Sequence, residues 1–394
     1  MAKTVAMTGN AACAQAMRQI DPDVVAAYPI TPQTTIVEEF SNFVAKGQVQ
    51  TEYVTVESEH SAMSACIGAS AAGSRVMTTT SSQGLALMWE MLYIASGLRL
   101  PIVMHNVNRT LSAPINIHCD HSDSMGARDS GWVQIFSEDA QEAYDNTIQA
   151  VRIAEHGDVH LPVMVLLDGF IVSHAIARLD LLEDDQVKKF VGDYVPAFQL
   201  LNPQHEVTIG SFDALHGNYF EFKRAQVEAF DNSKTVLQDV GREFAKLSGR
   251  HYGLFEPFMM DDAELAVVVS GSTAGTTRAV VKELRAQGTK AGLIKLRSFR
   301  PFPGPELVAA LRDCKAVAVL DRATSLGAEG GPMYLEVRNS MYDMDGRLPV
   351  INYIYGLGGR DIGTELIEQV YADLAGLAGG KPGIEAVQYL GLKE

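Results

Sequence analysis

Positive charge is scarce in this chain: 32 lysine and arginine residues stand against 48 aspartate and glutamate, a formal net charge of −16 over 394 residues. That balance argues against a nucleic-acid or anionic-membrane surface, and no basic tract offsets it. Long apolar runs are missing too, since none reaches the roughly 18 residues needed to span a bilayer. The start, MAKTVAMTGNAACAQAM, has neither the apolar core of a secretory signal nor the arginine-rich, acid-poor look of a transit peptide. The expectation is a cytoplasmic protein. Cysteine is sparse: Cys13, Cys66, Cys119 and Cys314 stand alone, without a CxxC pair. Local spacing therefore assembles neither a zinc site nor an iron–sulfur cluster, and buried reduced thiols are expected. Cys119, inside a polar loop, keeps a functional alternative. The phosphate-binding spacings GxGxxG and GxxxxGK[ST] are missing as well. GSTAGTT (271–277) only resembles a phosphate-cradling turn, and YGLGGRD (355–361) reads as a tight turn.

What is present is the balance of a soluble globular protein, 47% apolar and 20% charged, at a length that suits two domains. The first half alternates short β-branched runs with amphipathic or small-residue stretches, the signature of parallel α/β architecture. Strands are expected over 24–28 and 50–56 and in RVMTTTSSQG, LPIVMHNVN and HLPVMVLLDGF. Helices are expected over 33–45 and 58–72 and in GLALMWEMLYIASGL, which is apolar almost all round and so should be buried. From 171 to 253 the pattern turns charged and irregular, broken by Pro196 and Pro203, before a helix over 220–247 whose Phe230, Leu237, Val240, Phe244 and Leu247 share one face. That helix is expected to lie across the first domain. A second alternation starts near Ala263: a buried strand in AELAVVVSGS, a helix closed by Gly288, and strands in KAGLIKL and KAVAVLDRA. It implies a second parallel sheet.

Three stretches place polar groups where such sheets put ligands. YPITP (28–32) sets two prolines around Ile30 and Thr31. Each fixes its own φ near about −65° and biases its predecessor toward extended backbone, so Thr31 is held still. The plain structural role is a helix entry with Thr31 as N-cap. ESEHSA puts Glu57 and Glu59 at a helix N-terminus, a favourable place for a carboxylate. Behind them Ala62, Ala65, Cys66, Ala69 and Ala72 leave room for a helix, a neighbouring subunit or a planar cofactor. NVNRTLSAPINIHCDHSDSMGARDSGW (106–132) leaves a strand end, where open α/β sheets bind ligands. Arg109 either clamps a carboxylate or pairs with Asp120 or Asp123 to hold the loop. His118 and His121 with Asp120 and Asp123 suggest a metal site, but alternating loop residues seldom converge on one ion, and no metal is expected on this chain.

In this order YPITP, ESEHSA, TTTSSQGLALMWEMLYIASGLRLPIV, NVNRTLSAP, NIHCDHSDSMGARDSGW, FKRAQVEA, LRSFRPFP, VLDRA and GLGGRD run from residue 28 past residue 360. Together they resemble the α subunit of the 2-oxoacid:ferredoxin oxidoreductases, the pyruvate synthase family. The resemblance implies a thiamine diphosphate-binding (pyrimidine-type) parallel-sheet domain over 1–255, including the long connecting helix, and a transketolase C-terminal-like α/β domain over 256–394. It implies that Thr31 hydrogen-bonds a 2-oxoacid, that Glu59 contacts N1′ of the aminopyrimidine, and that Arg109 binds the substrate carboxylate or orients its keto group. Pro29 and Ile30 then lie against the cofactor, and Tyr28, Asn116, His118 and Asp120 line the substrate pocket. The implied reaction is coenzyme A-dependent oxidative decarboxylation to acyl-CoA and CO₂, with electrons passing singly to iron–sulfur clusters and ferredoxin. The family's diphosphate and Mg²⁺ motif, GDG followed by Asn, is absent here, as is any cluster motif. A β subunit is thus expected to hold the diphosphate, Mg²⁺ and a 4Fe-4S cluster, with γ and ferredoxin-like δ subunits or equivalents. Pyruvate is the first choice of substrate; a branched-chain or aryl (phenylglyoxylate or indolepyruvate) 2-oxoacid and 2-oxoglutarate are the alternatives. Transketolases and the E1 parts of NAD-linked dehydrogenases share the glutamate but not YPITP with the NIHCDHSD loop, and a non-catalytic scaffold is the rival from another class.

Overall fold

The computed structural model describes residues 3–210, 212–213, 217–344 and 348–393. Small side chains set its start: β1 (Lys3–Thr8) runs into α1 (Gly9–Ile20), where the Thr8 hydroxyl accepts from the Ala11 N–H and Ala12, Cys13, Ala16 and Met17 are buried. β2 (Val24–Ala27), α2 (Thr34–Ala45), β3 (Glu52–Thr55), α3 (Glu59–Ala71) and β4 (Val76–Thr80) follow. After them come α4 (Ser82–Leu87), α5 (Trp89–Gly97), β5 (Val103–Asn108), α6 (Ser122–Gly126), β6 (Val133–Ser137), α7 (Ala140–Glu155) and β7 (Val163–Asp168). The strands lie side by side as β6-β7-β5-β4-β2-β3, all parallel. Every residue of β4, β5, β6 and β7 is buried, as expected of a parallel sheet covered on both faces.

The order carries the functional consequence. From β2 the chain moves outward through α2 to β3, then returns through α3 past β2 to β4 on its other side. Right-handed crossovers in opposite directions put the two helices on opposite faces. Ile36 and Phe40 of α2 accordingly pack in one core with α1, and Ala62, Met63 and Cys66 of α3 in another with Leu92 and Ala95 of α5. The crevice between β2 and β4 at their carboxyl ends is the topological switch point where open α/β sheets bind ligands.

β8 (Ile176–Leu181) pairs antiparallel with β1, α8 (Asp184–Val191) follows, and α9 (Tyr219–Ser248) lies against α7. The second sheet is built from β9 (Phe255–Phe258), β10 (Leu265–Val269), α10 (Thr273–Ala286), β11 (Ala291–Leu296), β12 (Ser298–Arg300), α11 (Gly304–Leu311), β13 (Ala316–Asp321), α12 (Pro332–Ser340), β14 (Val350–Tyr355), α13 (Thr364–Ala378) and β15 (Val387–Leu390). Its order is β15-β14-β13-β10-β11-β9, parallel except for β9. β12 leaves that sheet and pairs antiparallel with β6, so the SFR segment closes the edge of the first sheet. One apolar core runs from Met125, Trp132 and Phe136 to Val268, Leu296 and Phe299, joining the two sheets. No helix among the described residues is long and apolar enough to cross a membrane.

Three expectations need correction. The helix after YPITP begins at Thr34 with Gln33 as its cap residue, so Thr31 stands outside it and is not the N-cap. GLALMWEMLYIASGL breaks at Met88 into α4 and α5, and Leu87 (51%), Trp89 (43%) and Tyr93 (38%) are exposed rather than buried. The 176–191 span is regular: IARLDL alternates, burying Leu179 and Leu181 while Arg178 and Asp180 face outward, and α8 buries only Val187 and Val191. Its high charge masks a period-two signal and a one-sided helix.

Candidate functional site

Four strand ends of the first sheet supply the polar groups at the switch point. After β2, Tyr28, Pro29 and Thr31 are exposed and Ile30 half-buried. Buried amides pin this loop from below. Gln33 Oε1 accepts from the Ile30 N–H (3.1 Å), Gln33 Nε2 donates to the Thr79 carbonyl (3.0 Å), and Asn10 Nδ2 donates to the Pro32 carbonyl (2.7 Å). The Thr31 carbonyl accepts from Arg109 Nη1 (2.5 Å), while its hydroxyl has no protein partner among the described residues.

Beyond β3, Ser58 caps α3 by accepting from the Ser61 N–H, and Glu59 is the first residue of that helix, only 7% exposed. Free N–H groups and the positive helix end favour a carboxylate there. Among the described residues the Glu59 carboxylate has no hydrogen-bond or ion-pair partner. It fits against α4 because residue 84 is glycine: a Cβ there would lie 2.7 Å from Glu59 Oε1. Glu57, by contrast, is exposed and accepts from Ser61 Oγ (2.7 Å), which holds its carboxyl below the usual range.

Arg109 directly follows β5 and is 5% exposed. Its guanidinium donates to the Thr31 carbonyl and to Gln83 Oε1 (2.5 Å), and Nε has no partner. The alternative pairing with Asp120 or Asp123 does not form. Asp123 instead accepts from the backbone N–H of Arg109 (3.1 Å), Ser82 (3.0 Å) and Ser124 (2.7 Å), and from Asn106 (3.0 Å) and Asn108 (2.8 Å). Burial pushes its carboxyl up and these donors oppose the rise. Asp120 accepts from the Ser122 N–H (3.0 Å) and hydroxyl (2.5 Å). Burial pulls Arg109 down, opposed by the charges of Asp123 and Glu59. Thr31, Glu59 and Arg109 thus converge on the start of α4, whereas Asn116, His118 and Asp120 stand on the outer arm of the loop.

That arm meets the second sheet. Asp168, at the end of β7, accepts from Arg322 (3.0 Å) and from the Ser272 N–H (3.0 Å) and hydroxyl (2.5 Å), and its other oxygen lies 2.7 Å from His121 Nε2. Burial raises its pKa, yet these neighbours outweigh it and hold the carboxyl well below the usual range. The GSTAGTT turn therefore does cradle an anion, but the anion is the chain's own Asp168. Among the described residues two clusters gather three metal-type ligands. In Cys119–His121–Asp168 the carboxylate is committed to Arg322; in Glu138–Glu142–Glu256 the Lys295 ammonium holds all three acids. All four cysteines are free and buried, and burial raises the Cys119 thiol well above its ordinary value. Gln33, Gln83, Gly84 and Asp168 were not singled out by sequence, and Asp123 was weighed only as a partner for the Arg109 side chain or as a metal ligand; for Gln83, Gly84 and Asp168 the available signal was position, since SSQG follows β4 and LLDG ends β7.

The family described as "Pyruvate flavodoxin/ferredoxin oxidoreductase, thiamine diP-bdg" matches residues 15–242, and "Pyruvate:ferredoxin oxidoreductase core domain II" matches 263–367. Pyruvate synthase subunit PorA of Thermotoga maritima is 55% identical over 99% of this chain and 98% of its own length. Ketoisovalerate oxidoreductase subunit VorA of Pyrococcus abyssi is 42% identical over 93% of this chain and 92% of its own. A solved 2-oxoglutarate:ferredoxin oxidoreductase from Magnetococcus marinus, with 2-oxoglutarate, coenzyme A and succinyl-CoA bound, shares the fold at TM-score 0.73 and 21% identity; the match covers 94% of this chain and 65% of that one. The chain belongs to the 2-oxoacid:ferredoxin oxidoreductase family, as a counterpart of its α subunits.

Proposed function

We propose that this chain is the α subunit of a cytoplasmic, coenzyme A-dependent 2-oxoacid:ferredoxin oxidoreductase that decarboxylates pyruvate, with residues 1–255 and 256–394 as its two domains. One observation carries the reading: a nearly buried, unpartnered carboxylate, Glu59, sits at the switch point beside a free threonine hydroxyl and a fixed arginine. A carboxylate in a nearly buried residue that takes no protein donor is open to one from a ligand. The aminopyrimidine of thiamine diphosphate fits, because its protonated N1′ is such a donor, and glycine at 84 leaves Glu59 room to face it. When bound, that cofactor supplies a nucleophilic carbon for the 2-oxo group and an electron sink for loss of CO₂.

In this role Glu59 holds a proton at N1′. Pro29 and Ile30, stiffened by Gln33, bear on the ring. Arg109, already desolvated and aimed by Gln83, binds the substrate carboxylate or orients the keto oxygen, and the Thr31 hydroxyl donates to the substrate. Tyr28 and the outer arm with Asn116, His118 and Asp120 border the side-chain end.

The diphosphate, Mg²⁺ and 4Fe-4S clusters belong on partner chains: a β-type subunit, and γ and ferredoxin-like δ subunits or equivalents that pass electrons to ferredoxin. The acid clusters found on this chain are occupied by its own lysine and arginine. A branched-chain 2-oxoacid is the second reading, favoured by the ketoisovalerate oxidoreductase relative. The test is 2-oxoacid-dependent viologen reduction by the complex that co-purifies with this chain, with and without coenzyme A. Coenzyme A-dependent reduction that prefers pyruvate is expected. A preference for the branched-chain acid selects the second reading, and no reduction with any 2-oxoacid refutes both.

A further inference from the structure

The turn after β14 reaches across to the loop that begins at Arg109. Gly356, Gly358 and Gly359 take φ of 63°, 64° and 73°, a region that glycine enters without Cβ strain. In this shape the Gly359 N–H donates to the Cys119 carbonyl (2.7 Å) and the Gly358 carbonyl accepts from Asn116 Nδ2 (3.0 Å). Asn116 in turn organises the loop. Its Oδ1 accepts from the His118 N–H (2.9 Å), and its carbonyl accepts from the hydroxyl of Thr110 (2.6 Å), the residue after Arg109. The fit is close: a Cβ on Gly358 would lie 2.6 Å from Asn116 Nδ2, and one on Gly359 would strike His118 Cβ. On either side of Asn116, Ile115 and Ile117 are 69% and 44% exposed. Two apolar side chains are thus held out of the core by a loop whose shape is fixed from the second sheet.

We propose that the 356–359 turn is a specificity-determining element, setting through Asn116 how far Ile115 and Ile117 close on the side chain of the 2-oxoacid. This inference rests on the activity proposed above. Asn116 and the glycines are positioning residues in it, since they act through the isoleucines.

The test compares wild type, Asn116→Ser and Gly358→Ala in the full complex. Asn116→Ser removes the hydrogen bond to the turn while keeping a small polar side chain; Gly358→Ala pushes a methyl group into Asn116. Two quantities are read: amide hydrogen exchange across 110–121, and the ratio of kcat/KM for pyruvate to that for a branched-chain 2-oxoacid. Exchange is expected to quicken and the ratio to shift about two- to tenfold, the factor that one hydrogen bond carries. A merely structural role would lower kcat/KM for both acids alike, so an unchanged ratio overturns the proposal, as does unchanged exchange. If Gly358→Ala fails to assemble, Gly359→Ala, which presses a methyl group on His118 from the same turn, takes its place. A wild-type complex that turns over no 2-oxoacid refutes the activity, and the specificity role with it; an active wild type with an unshifted ratio refutes the specificity role only.

Discussion

Arg109 is buried with its Nε unpartnered, which is unfavourable for folding, and a site that keeps it beside an unpartnered carboxylate and a free hydroxyl invites a functional explanation. Glu59 gives the clearest test. Glu59→Gln keeps the size of the side chain but cannot hold a proton at a ring nitrogen, so kcat of the complex should fall about 10²- to 10⁴-fold, the usual range for general acid–base groups. Folding should change little, because the helix-end charge contributes only about 0.3–1 kcal/mol. Viologen reduction and thermal melting on the same preparation check both halves, and full activity would revive the scaffold reading. The positions of Thr31, Glu59 and Arg109 were legible in the sequence because their signals are local: two prolines, a helix start, a strand end. The contacts of Gln33, Gln83 and Asp123 were not. Gln33 acts on a carbonyl 46 positions away, Gln83 on a guanidinium 26 away and Asp123 on a backbone amide 14 away, and no single sequence prints such pairings.

Among the elements, α9 was the easiest to read and α4–α5 the hardest. The stripe on α9 buries Leu237, Val240 and Phe244 and half-buries Phe230 and Leu247, as helical spacing requires. Periodicity does not reveal why Gly241 lies on that same buried face: a Cβ there would collide with the Tyr252 carbonyl. Gly241→Ala therefore sets two effects against each other. Helix propensity favours alanine by about 1 kcal/mol, while overpacking costs about 1–3 kcal/mol. The obstacle is backbone, which has no rotamer to escape into, so overpacking should win and the melting temperature should fall. A rise on melting would mean that the backbone at Tyr252 gives way at little cost. For α4 and α5 the apolar composition was read correctly and its consequence was not, because composition says that a surface is to be covered without saying by which chain.

At the scale of the whole molecule the two faces differ. On one side the sheets are locked together: the core is shared, β12 crosses to the first sheet, and in buried ion pairs Lys295 holds Glu142 of α7 and Arg322 holds Asp168 of β7. Removing one member of such a pair strands a charge, so little relative motion is expected there. Elsewhere Tyr28 (36%) stands exposed in the loop of Thr31, and Leu87 and Trp89 stand exposed on α4 and α5, which pack against α3, the helix of Glu59. If a partner subunit completes the site, it must cover this face, and each large apolar side chain it buries contributes about 1.5–3 kcal/mol. Leu87→Asp with Trp89→Glu should therefore leave the chain folded, since both side chains already contact water, yet prevent its co-purification with the other subunits. The measurement is size-exclusion chromatography of the complex co-expressed with its partners, with circular dichroism of the variant chain as the folding control. A folded variant that elutes alone places the interface over the cofactor site. Undiminished assembly would place it elsewhere, and Glu59 would then need its covering group from this chain alone.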